Sequence, residues 1–237
     1  MPLDGTRLAR QLLKPGTAAL SDAMGKTGAM RHDMQCVSAN PKMAGPAHTV
    51  RVHTADILMI AQALSECPRQ HVLVIDGRGE LNTALWGELT TITALRKSVA
   101  GVVIDGAVRD VAMIRRSSLP VFARSVVPNA GGAEYIGEIG VTVQCAGQVV
   151  RPGDWLVGDQ DGVVVIPADK VDVVLARAQR IVAAERKIER SVRAGKDLGA
   201  ILRCEEIIQK KASDVFIPQL RANGPRVRES KGGRQNK

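Results

Sequence analysis

The sequence contains very few aromatic side chains. Two tryptophans, one tyrosine and two phenylalanines are the only aromatic residues among 237. A core built from this chain must therefore be packed mainly with Val, Ile, Leu and Ala. Proteins that bind single-stranded nucleic acid commonly stack the bases on aromatic rings, so the composition disfavours that class of function.

Long hydrophobic runs are also missing. No apolar segment approaches the roughly 18–20 residues that a membrane-spanning helix needs. The first residues, MPLDGTRLARQLLK, lack the apolar core of a secretory signal. Hydrophobic residues make up 45% of the chain and charged residues 24%, which is ordinary for a globular protein. We therefore expect a soluble, cytoplasmic protein without a membrane partner.

Cysteine and histidine, four of each, are scattered along the chain. No CxxC pair or zinc-ribbon spacing occurs, so we expect reduced thiols and no histidine-based metal site. A GxSxG nucleophile motif is absent as well, and nothing in the sequence points to covalent catalysis.

Positive charge is concentrated at the C-terminus. The formal net charge is +9, and residues 221–237 hold six Lys or Arg against one Glu, so this segment carries five of the nine charges. Its Gly-rich, polar composition predicts a disordered basic tail. The rest of the chain is only mildly basic and does not indicate a nucleic-acid partner. Contact between the tail and nucleic acid or another anionic partner is the alternative to a solvated tail.

Apolar strands alternate with helical segments over the first 140 residues. This alternation predicts an α/β fold with partly parallel pairing. The predicted strands are HVLVID (71–76), GVVID (101–105) and PVFAR (120–124), and the predicted helices cover 5–25, broken at Pro15-Gly16, 55–64 and 87–97.

Short strands separated by turn residues follow residue 140, and they predict an antiparallel meander. Asp169 is predicted to cap a helix that runs to Ala194 and ends at Gly195. We expect one domain over residues 1–200, a helical extension over 201–220 and the basic tail after it.

The segment Gly77-Arg78-Gly79 follows the strand HVLVID and imitates the beginning of a dinucleotide-binding fingerprint. Asn82 replaces the third glycine, and no helix starts directly after the second, so a Rossmann site is disfavoured. We interpret the segment as a tight strand exit that needs the backbone freedom of glycine.

Two further segments, 86–90 and 105–110, each follow a buried-type strand. Ligands of α/β proteins bind at the carboxyl ends of strands, so both segments lie where a site is expected. Gly87 begins a helix whose first-turn N–H groups, at Leu89 and Thr90, are predicted to bind a carboxylate.

Arg109 and Asp110 are adjacent, and we expect them in a loop from which both side chains reach one cavity. An exposed ion pair on a connection explains the same two residues equally well.

Glu88, followed by twenty residues and then Arg109-Asp110, resembles the Asp-x20-Arg-Asp signature of a family of class II aldolases. Those enzymes act on 4-hydroxy-4-methyl-2-oxoglutarate and 4-carboxy-4-hydroxy-2-oxoadipate, and they share a superfamily with the regulator of ribonuclease activity A, RraA. The resemblance covers roughly residues 10–200. It continues through SDAM (21–24), HTADILMIAQAL (53–64), GVVIDGAVRD (101–110), LPVFAR (119–124) and RPGDWLVGDQDGVVVIP (151–167).

The resemblance implies a compact αββα sandwich of mixed sheets flanked by helices. It also implies homotrimers or homohexamers with active sites at subunit interfaces. Arg109 matches the arginine that binds the pyruvyl group and neutralises enolate charge. Asp110 matches the aspartate that holds a divalent cation, Mg²⁺ or Mn²⁺.

The turn at Gly87 and the amides of Leu89 and Thr90 match the positions that take the substrate carboxylate. Glu88 stands where the aldolases carry Asp, so its carboxylate is moved by one methylene from the catalytic position.

The function implied is a metal-dependent aldolase that releases pyruvate from a small 4-hydroxy-2-oxo acid, with oxaloacetate decarboxylation as a side activity. One alternative is an RraA-like regulator that binds a ribonuclease, and another is an enzyme of the same scaffold acting on a different keto or hydroxy acid. The regulator has Gly at the position of Glu88 and an acidic cluster after its Arg-Asp pair. This chain has Val111-Ala112-Met113 there and is nearer to the enzymes.

Overall fold

A computed structural model of the protein describes residues 5–214. The chain separates into two compact units, Met1–Ala184 and Glu185–Lys237, with the boundary inside a long helix. The predicted basic tail (221–237) and residues 215–220 of the predicted helical extension lie outside the described residues.

Ten strands are described, and eight of them form one mixed sheet. The sheet order is β1-β5-β4-β3-β2-β9-β10, with β6 paired to β2. The β2–β3, β3–β4 and β4–β5 pairs are parallel, and the other pairs are antiparallel. The strands are β1 (Gln35–Cys36), β2 (Met43–Arg51), β3 (Val72–Trp86), β4 (Gly101–Val108), β5 (Val121–Val126), β6 (Glu138–Ile139), β7 (Val143–Cys145), β8 (Gln148–Val150), β9 (Trp155–Asp159) and β10 (Gly162–Ile166).

Eight α-helices are described, and none of them is long and apolar enough to cross a bilayer. They are α1 (Gly5–Leu12), α2 (Gly16–Ala23), α3 (Leu58–Glu66), α4 (Glu88–Lys97), α5 (Val111–Arg116), α6 (Val171–Arg193), α7 (Leu198–Ile201) and α8 (Cys204–Asp214). The predicted break at Pro15-Gly16 is confirmed, since α1 and α2 are separate helices. Asp169 does not cap α6, because it lies inside a 3-10 turn (Ala168–Lys170) that precedes the helix.

Alternating side chains in the strands separate three apolar cores. In β3, Leu73 and Ile75 pack in the first core with side chains from α3, α4 and α5, while Val72 and Val74 point into the second core. Because successive side chains of a strand point to opposite faces, this part of the sheet is covered on both sides.

The same alternation in β10 separates the second core from the third. Val163 and Val165 belong to the second core, and Val164 and Ile166 pack in the third with α1, α2 and α6. The layer order is therefore helices, strands, strands, helices. This confirms the αββα sandwich.

The strands after residue 140 form two separate hairpins and not one meander. Among the described strands, β7 pairs only with β8, whereas β9 and β10 join the large sheet through β2. β9 pairs with Met43–Pro46 of β2 and leaves the rest of β2 to β3 and β6. Strand β2 therefore connects the two strand layers of the sandwich.

Strand β3 does not end at Gly77 as predicted, but continues through a bulge to Trp86. The register with β4 jumps from Ile75 opposite Ile104 to Glu80 opposite Gly106. An added Cβ at Gly77 would lie 2.8 Å from the Asp105 carbonyl oxygen, so glycine permits a close approach of the strands there. The second half of β3 then reaches the end of β4, which decides where the candidate site forms.

Candidate active site

The two segments predicted to carry chemistry meet at the carboxyl ends of β3 and β4. Trp86, the last residue of β3, lies opposite Val108, the last residue of β4. The backbone N–H of Arg109 donates a hydrogen bond of 2.9 Å to the carbonyl oxygen of Trp86. The connections to α4 and α5 therefore begin side by side.

The N-terminus of α4 is open toward this junction. Gly87 is its N-cap, and the Thr90 hydroxyl lies 3.0 Å from the Gly87 nitrogen and donates to the Gly87 carbonyl oxygen at 2.9 Å. Within the described residues the backbone N–H groups of Leu89 and Thr90 have no hydrogen-bond partner. Free N–H groups at a helix N-terminus favour an anion, as the sequence predicts for these two residues.

Asp110 lies in the short connection between β4 and α5, as predicted, and it is the N-cap of α5. Its backbone is in the left-handed region, with φ of 57° and ψ of 35°, which aspartate tolerates better than most residues. One carboxylate oxygen, Oδ2, accepts a hydrogen bond of 3.0 Å from the backbone N–H of Glu88. The same oxygen lies 3.7 Å from Nε of Arg109. The exposed ion pair expected for these residues is present, but it is anchored to α4.

The side chains of Arg109 and Asp110 pass so close to residue 87 that only glycine fits there. A Cβ added to Gly87 would lie 2.6 Å from Oδ2 of Asp110 and 3.2 Å from Cγ of Arg109. Any larger residue would therefore push the carboxylate away from the Glu88 N–H. Its φ of −163° is ordinary extended backbone, so lack of space, and not conformation, demands the glycine.

The predicted site residues surround one small cleft of about 110 Å³. This volume is smaller than the roughly 300–1,000 Å³ of sites for drug-sized ligands. The lining residues are Ile57, Ala84, Leu85, Trp86, Gly87, Glu88, Leu89, Thr90, Arg109, Asp110 and Ala130. The structure thus brings all the predicted site residues together.

A buried hydrogen-bond chain under the cleft was missed by the sequence reasoning. The indole Nε1 of Trp86 donates to Oγ1 of Thr91 at 2.8 Å, and the Thr91 hydroxyl donates to the Gly87 carbonyl oxygen at 2.8 Å. Thr91 is fully buried. Its only sequence signal is a threonine one helical turn after Gly87, which is too common to be diagnostic. The chain fixes the turn that presents the free N–H groups.

The donor set fits a hard cation better than zinc. Among residues 5–214, no group of three or more His, Cys, Asp or Glu side chains could hold a metal ion together. The second carboxylate oxygen of Asp110, Oδ1, has no partner in that range, and the side chain is 40% exposed. Mg²⁺ is often bound by one or two carboxylates and retains several waters, whereas zinc sites need three or four protein ligands.

A comparison with models of protein families identifies the family of the chain. The model of the RraA-like family, described as Aldolase/RraA, matches residues 17–165. The chain belongs to the Aldolase/RraA family. The matched region begins in α2 and ends in β10, so it includes both connections of the candidate site.

Relatives within the Aldolase/RraA family include proteins named for an activity. The chain is 33% identical over 151 residues to the 4-hydroxy-4-methyl-2-oxoglutarate aldolase of Thermus thermophilus, covering 64% of this chain and 92% of that protein. It is 40% identical over 162 residues to an uncharacterized protein of Methanocaldococcus jannaschii, covering 68% of this chain and 78% of that protein.

Two solved structures share the fold of the chain. The RNA-processing inhibitor RraA from Thermus thermophilus superposes with a TM-score of 0.60 at 32% identity, covering 64% of this chain and 92% of that one. An uncharacterized protein from Pseudomonas syringae superposes with a TM-score of 0.75 at 25% identity, covering 84% of this chain and 96% of that one.

Proposed function

We propose that this protein is a class II aldolase that depends on a divalent metal and cleaves a 4-hydroxy-2-oxo acid of the 4-hydroxy-4-methyl-2-oxoglutarate type to pyruvate. Oxaloacetate decarboxylation is the proposed side activity. One observation carries the proposal: Arg109, Asp110 and the open N-terminus of α4 surround one small cleft. The aldolase name of the Thermus thermophilus relative supports the reaction class.

The substrate carboxylate is proposed to bind at the N-terminus of α4. The N–H groups of Leu89 and Thr90 donate to its two oxygens, and the helix dipole adds a favourable interaction with the negative charge. Because the Trp86–Thr91 hydrogen bond fixes the turn, these donors are oriented before the substrate arrives. The 2-oxo group then lies toward Arg109 and Asp110.

Arg109 stabilises the charge that develops during cleavage. Breaking the bond between C3 and C4 leaves pyruvate as its enolate, whose negative charge is the main barrier. The Nη groups of Arg109 have no partner in the described part of the chain, and its Nε lies beside Asp110. A guanidinium held in this way can donate two parallel hydrogen bonds to the enolate and carboxylate oxygens.

Asp110 would hold the divalent cation through its free oxygen, Oδ1. When bound, Mg²⁺ or Mn²⁺ supplies Lewis-acid stabilisation of the enolate. The hydrogen bond from the Glu88 N–H to Oδ2 fixes the rotamer of the carboxylate, so Oδ1 is presented to the cleft.

Glu88 is proposed to hold the water that takes the proton of the 4-hydroxyl group and returns a proton to C3 of the enolate, since it is an exposed carboxylate on the rim of the cleft. Oxaloacetate decarboxylation also ends in protonation of C3, so it depends on the same water. The alternative role is electrostatic only, because an acidic residue in the first turn of a helix gains about 0.3–1 kcal/mol from the helix dipole.

A homotrimer or homohexamer with active sites at its interfaces is the proposed assembly. Large apolar side chains near the cleft support it: Leu89 is 80% exposed and Ile136 is 79% exposed. The segment that carries Ile136 is held near the cleft by Asp56, which accepts backbone hydrogen bonds from Glu134 and Tyr135. We place the protein in the cytoplasm, which the four free thiols support.

The second candidate function is inhibition of a ribonuclease. The structural likeness to the Thermus thermophilus RNA-processing inhibitor RraA favours it. A pure regulator needs no metal and releases no pyruvate, so a single assay separates the two functions.

The test is pyruvate release by the purified full chain. Oxaloacetate and 4-hydroxy-4-methyl-2-oxoglutarate are supplied separately with Mg²⁺ or Mn²⁺, and again after EDTA treatment, with pyruvate detected through lactate dehydrogenase. Because free metal ions decarboxylate oxaloacetate slowly, reactions without protein are subtracted. We expect metal-dependent pyruvate from both acids. Rates no higher than in the protein-free reactions would refute the aldolase and leave the regulator or an enzyme that acts on a different keto or hydroxy acid.

A further inference from the structure

A second cleft, of about 610 Å³, lies apart from the candidate active site and shares no lining residue with it. Four arginines line this second cleft together with two buried aspartates, Asp76 and Asp105. The arginines are Arg31, Arg51, Arg78 and Arg124.

Arg124 is fully engaged with carboxylates. Its Nη1 donates to Asp105 at 2.7 Å, and its Nε and Nη2 donate to Asp33 at 3.0 and 2.8 Å. Arg31 donates to Asp33 from Nε and Nη2 and keeps Nη1 free within the described residues. The hydrogen bond from Arg31, reinforced by Arg124, lowers the pKa of Asp33 to about 2. The Asp33 carboxylate is therefore ionised at neutral pH, and its negative charge is balanced by the two arginines.

Arg51 is paired in the same way. Its Nε lies 3.4 Å from Oδ2 of Asp76, and its Nη1 lies 2.8 Å from Oε2 of Glu138. Asp76 also accepts from the backbone N–H groups of Arg78 and Gln144, and Asp105 accepts from the N–H of Ala146. Each oxygen of the two buried carboxylates thus accepts at least one hydrogen bond.

Arg78 is the exception among the four. Its side chain makes one hydrogen bond within residues 5–214, from Nε to the Val52 carbonyl oxygen at 3.2 Å, and no carboxylate pairs with it there. Its backbone has a φ of 57°, a conformation that costs a residue with a side chain free energy. The exposed side chain of Arg78 therefore lines the cleft with Nη groups that have no partner within the described residues.

The bulge in β3 gives Arg78 this position. Gly79, with φ of 73°, completes the bulge, and a Cβ there would lie 2.8 Å from Nη1 of Arg124. Bulges often re-aim a side chain next to a functional site. The two flanking glycines let the backbone turn while Arg124 packs against it. The segment Gly77-Arg78-Gly79 therefore positions the Arg78 side chain at the cleft, which its interpretation as a strand exit does not explain.

We propose that this second cleft binds a small oxyanion, a carboxylate or a phosphate, on the guanidinium of Arg78. Two parallel N–H donors in a fixed plane match both chemistries. The free Nη1 of Arg31 and the side chain of Gln144, which also lines the cleft, supply the remaining donors. The carboxylates that line or border the cleft are each paired with an arginine, which reduces their repulsion of the anion.

Binding to the full chain tests the proposal, with citrate and inorganic phosphate as separate probes. Calorimetric titration and thermal melting are performed at constant ionic strength set with NaCl. Arg78→Asn removes the guanidinium and keeps a residue that tolerates positive φ. Arg180→Asn, at an exposed position on α6, removes the same charge elsewhere. We expect the parent and the Arg180→Asn control to bind at least one probe saturably. The affinity of Arg78→Asn for that probe should be lower by about tenfold or more.

Binding of citrate alone identifies a carboxylate ligand, and binding of phosphate alone identifies a phosphate ligand. Equal affinity in the parent and Arg78→Asn would overturn the proposal, as would no binding of either probe at millimolar concentration. Arg31→Gln provides an independent reading if the first variant does not fold. Loss of oligomer mass in Arg78→Asn, without anion binding by the parent, would show that a second copy covers the cleft. Because no step uses pyruvate release, the outcome does not depend on the aldolase activity.

Discussion

Replacing Asp110 by alanine and, separately, by asparagine separates its structural role from its proposed role in metal binding. The carboxylate accepts a hydrogen bond of 3.0 Å from the Glu88 N–H at the start of α4, and the residue itself begins α5 with a φ of 57°. Alanine removes the acceptor and tolerates that backbone less well. Asparagine keeps an acceptor oxygen and the tolerance for positive φ, but it loses the negative charge.

The magnitudes follow from these contacts. A hydrogen bond to a charged group contributes about 1.5–3 kcal/mol when buried, and the 40% exposure of this side chain reduces that toward the lower end. With the change in backbone tolerance, we expect Asp110→Ala to lower the free energy of unfolding by about 1–2 kcal/mol. This exceeds the roughly 0.5 kcal/mol expected for a residue in a plain loop. Asp110→Asn should lose less than about 1 kcal/mol.

Urea unfolding and metal-dependent pyruvate release are measured on the same preparations. Both variants should lose about 100-fold or more in turnover, because loss of an outer-sphere partner alone often costs 10–100-fold. The asparagine variant should do so while remaining nearly as stable as the parent. Near-parental turnover in Asp110→Asn at ordinary Mg²⁺ concentrations would remove Asp110 from the metal site.

Four further predictions address neighbouring residues. Arg109→Lys should lower kcat/KM severely, because an ammonium lacks the planar fork of donors of a guanidinium. Arg116→Lys, on the exposed side of α5, should leave kcat/KM unchanged, and equal kinetics in the two variants would show that Arg109 does not contact the substrate. Glu88→Asp should retain or raise decarboxylation and Glu88→Gln should lower it; unchanged rates with a lower melting temperature would indicate a helix-dipole role alone. Thr91→Val should raise KM for the 2-oxo acid and cost about 1–3 kcal/mol, because the buried indole N–H loses its acceptor, and Thr91→Ser should restore both; parental KM in the valine variant would contradict a positioning role. Asp33→Asn should lower the free energy of unfolding near neutral pH. Because the folded-state pKa of about 2 lies below the usual 3.8, the difference in unfolding free energy from the parent should shrink as the pH falls from 4 to 2. A difference that does not depend on pH would rule out the charge as its cause.

The sequence predicted which segments carry the candidate site better than where the strands before them end. The predicted strands ended at Asp76 and Asp105, whereas β3 and β4 continue to Trp86 and Val108. The continuation of β3 beyond Gly77 could not be predicted, since the bulge is stabilised by contacts with Asp105 and Arg124, which are distant in sequence. Local composition carries no information about such contacts.

The position of Asp110 shows a similar limit. Its proximity to Arg109 is evident from the sequence, but its hydrogen bond to the Glu88 N–H joins residues 22 positions apart. The pairing of β9 with β2 is also non-local, and turn residues alone could not distinguish two hairpins from one meander. Helix α4, by contrast, was predicted over 87–97 and begins at Glu88, because its capping signal is local.

The bond between Asp110 and the Glu88 N–H has a consequence for protein engineering. Together with the bond from the Arg109 N–H to the Trp86 carbonyl oxygen, it joins the connections after β3 and β4 at two points. Grafting one connection from a relative would leave Gly87 facing a side chain that it was not shaped to accommodate. Chimeras designed to change substrate range should therefore exchange residues 86–91 and 108–111 as a pair, and chimeras that exchange one alone should fold less stably than either parent.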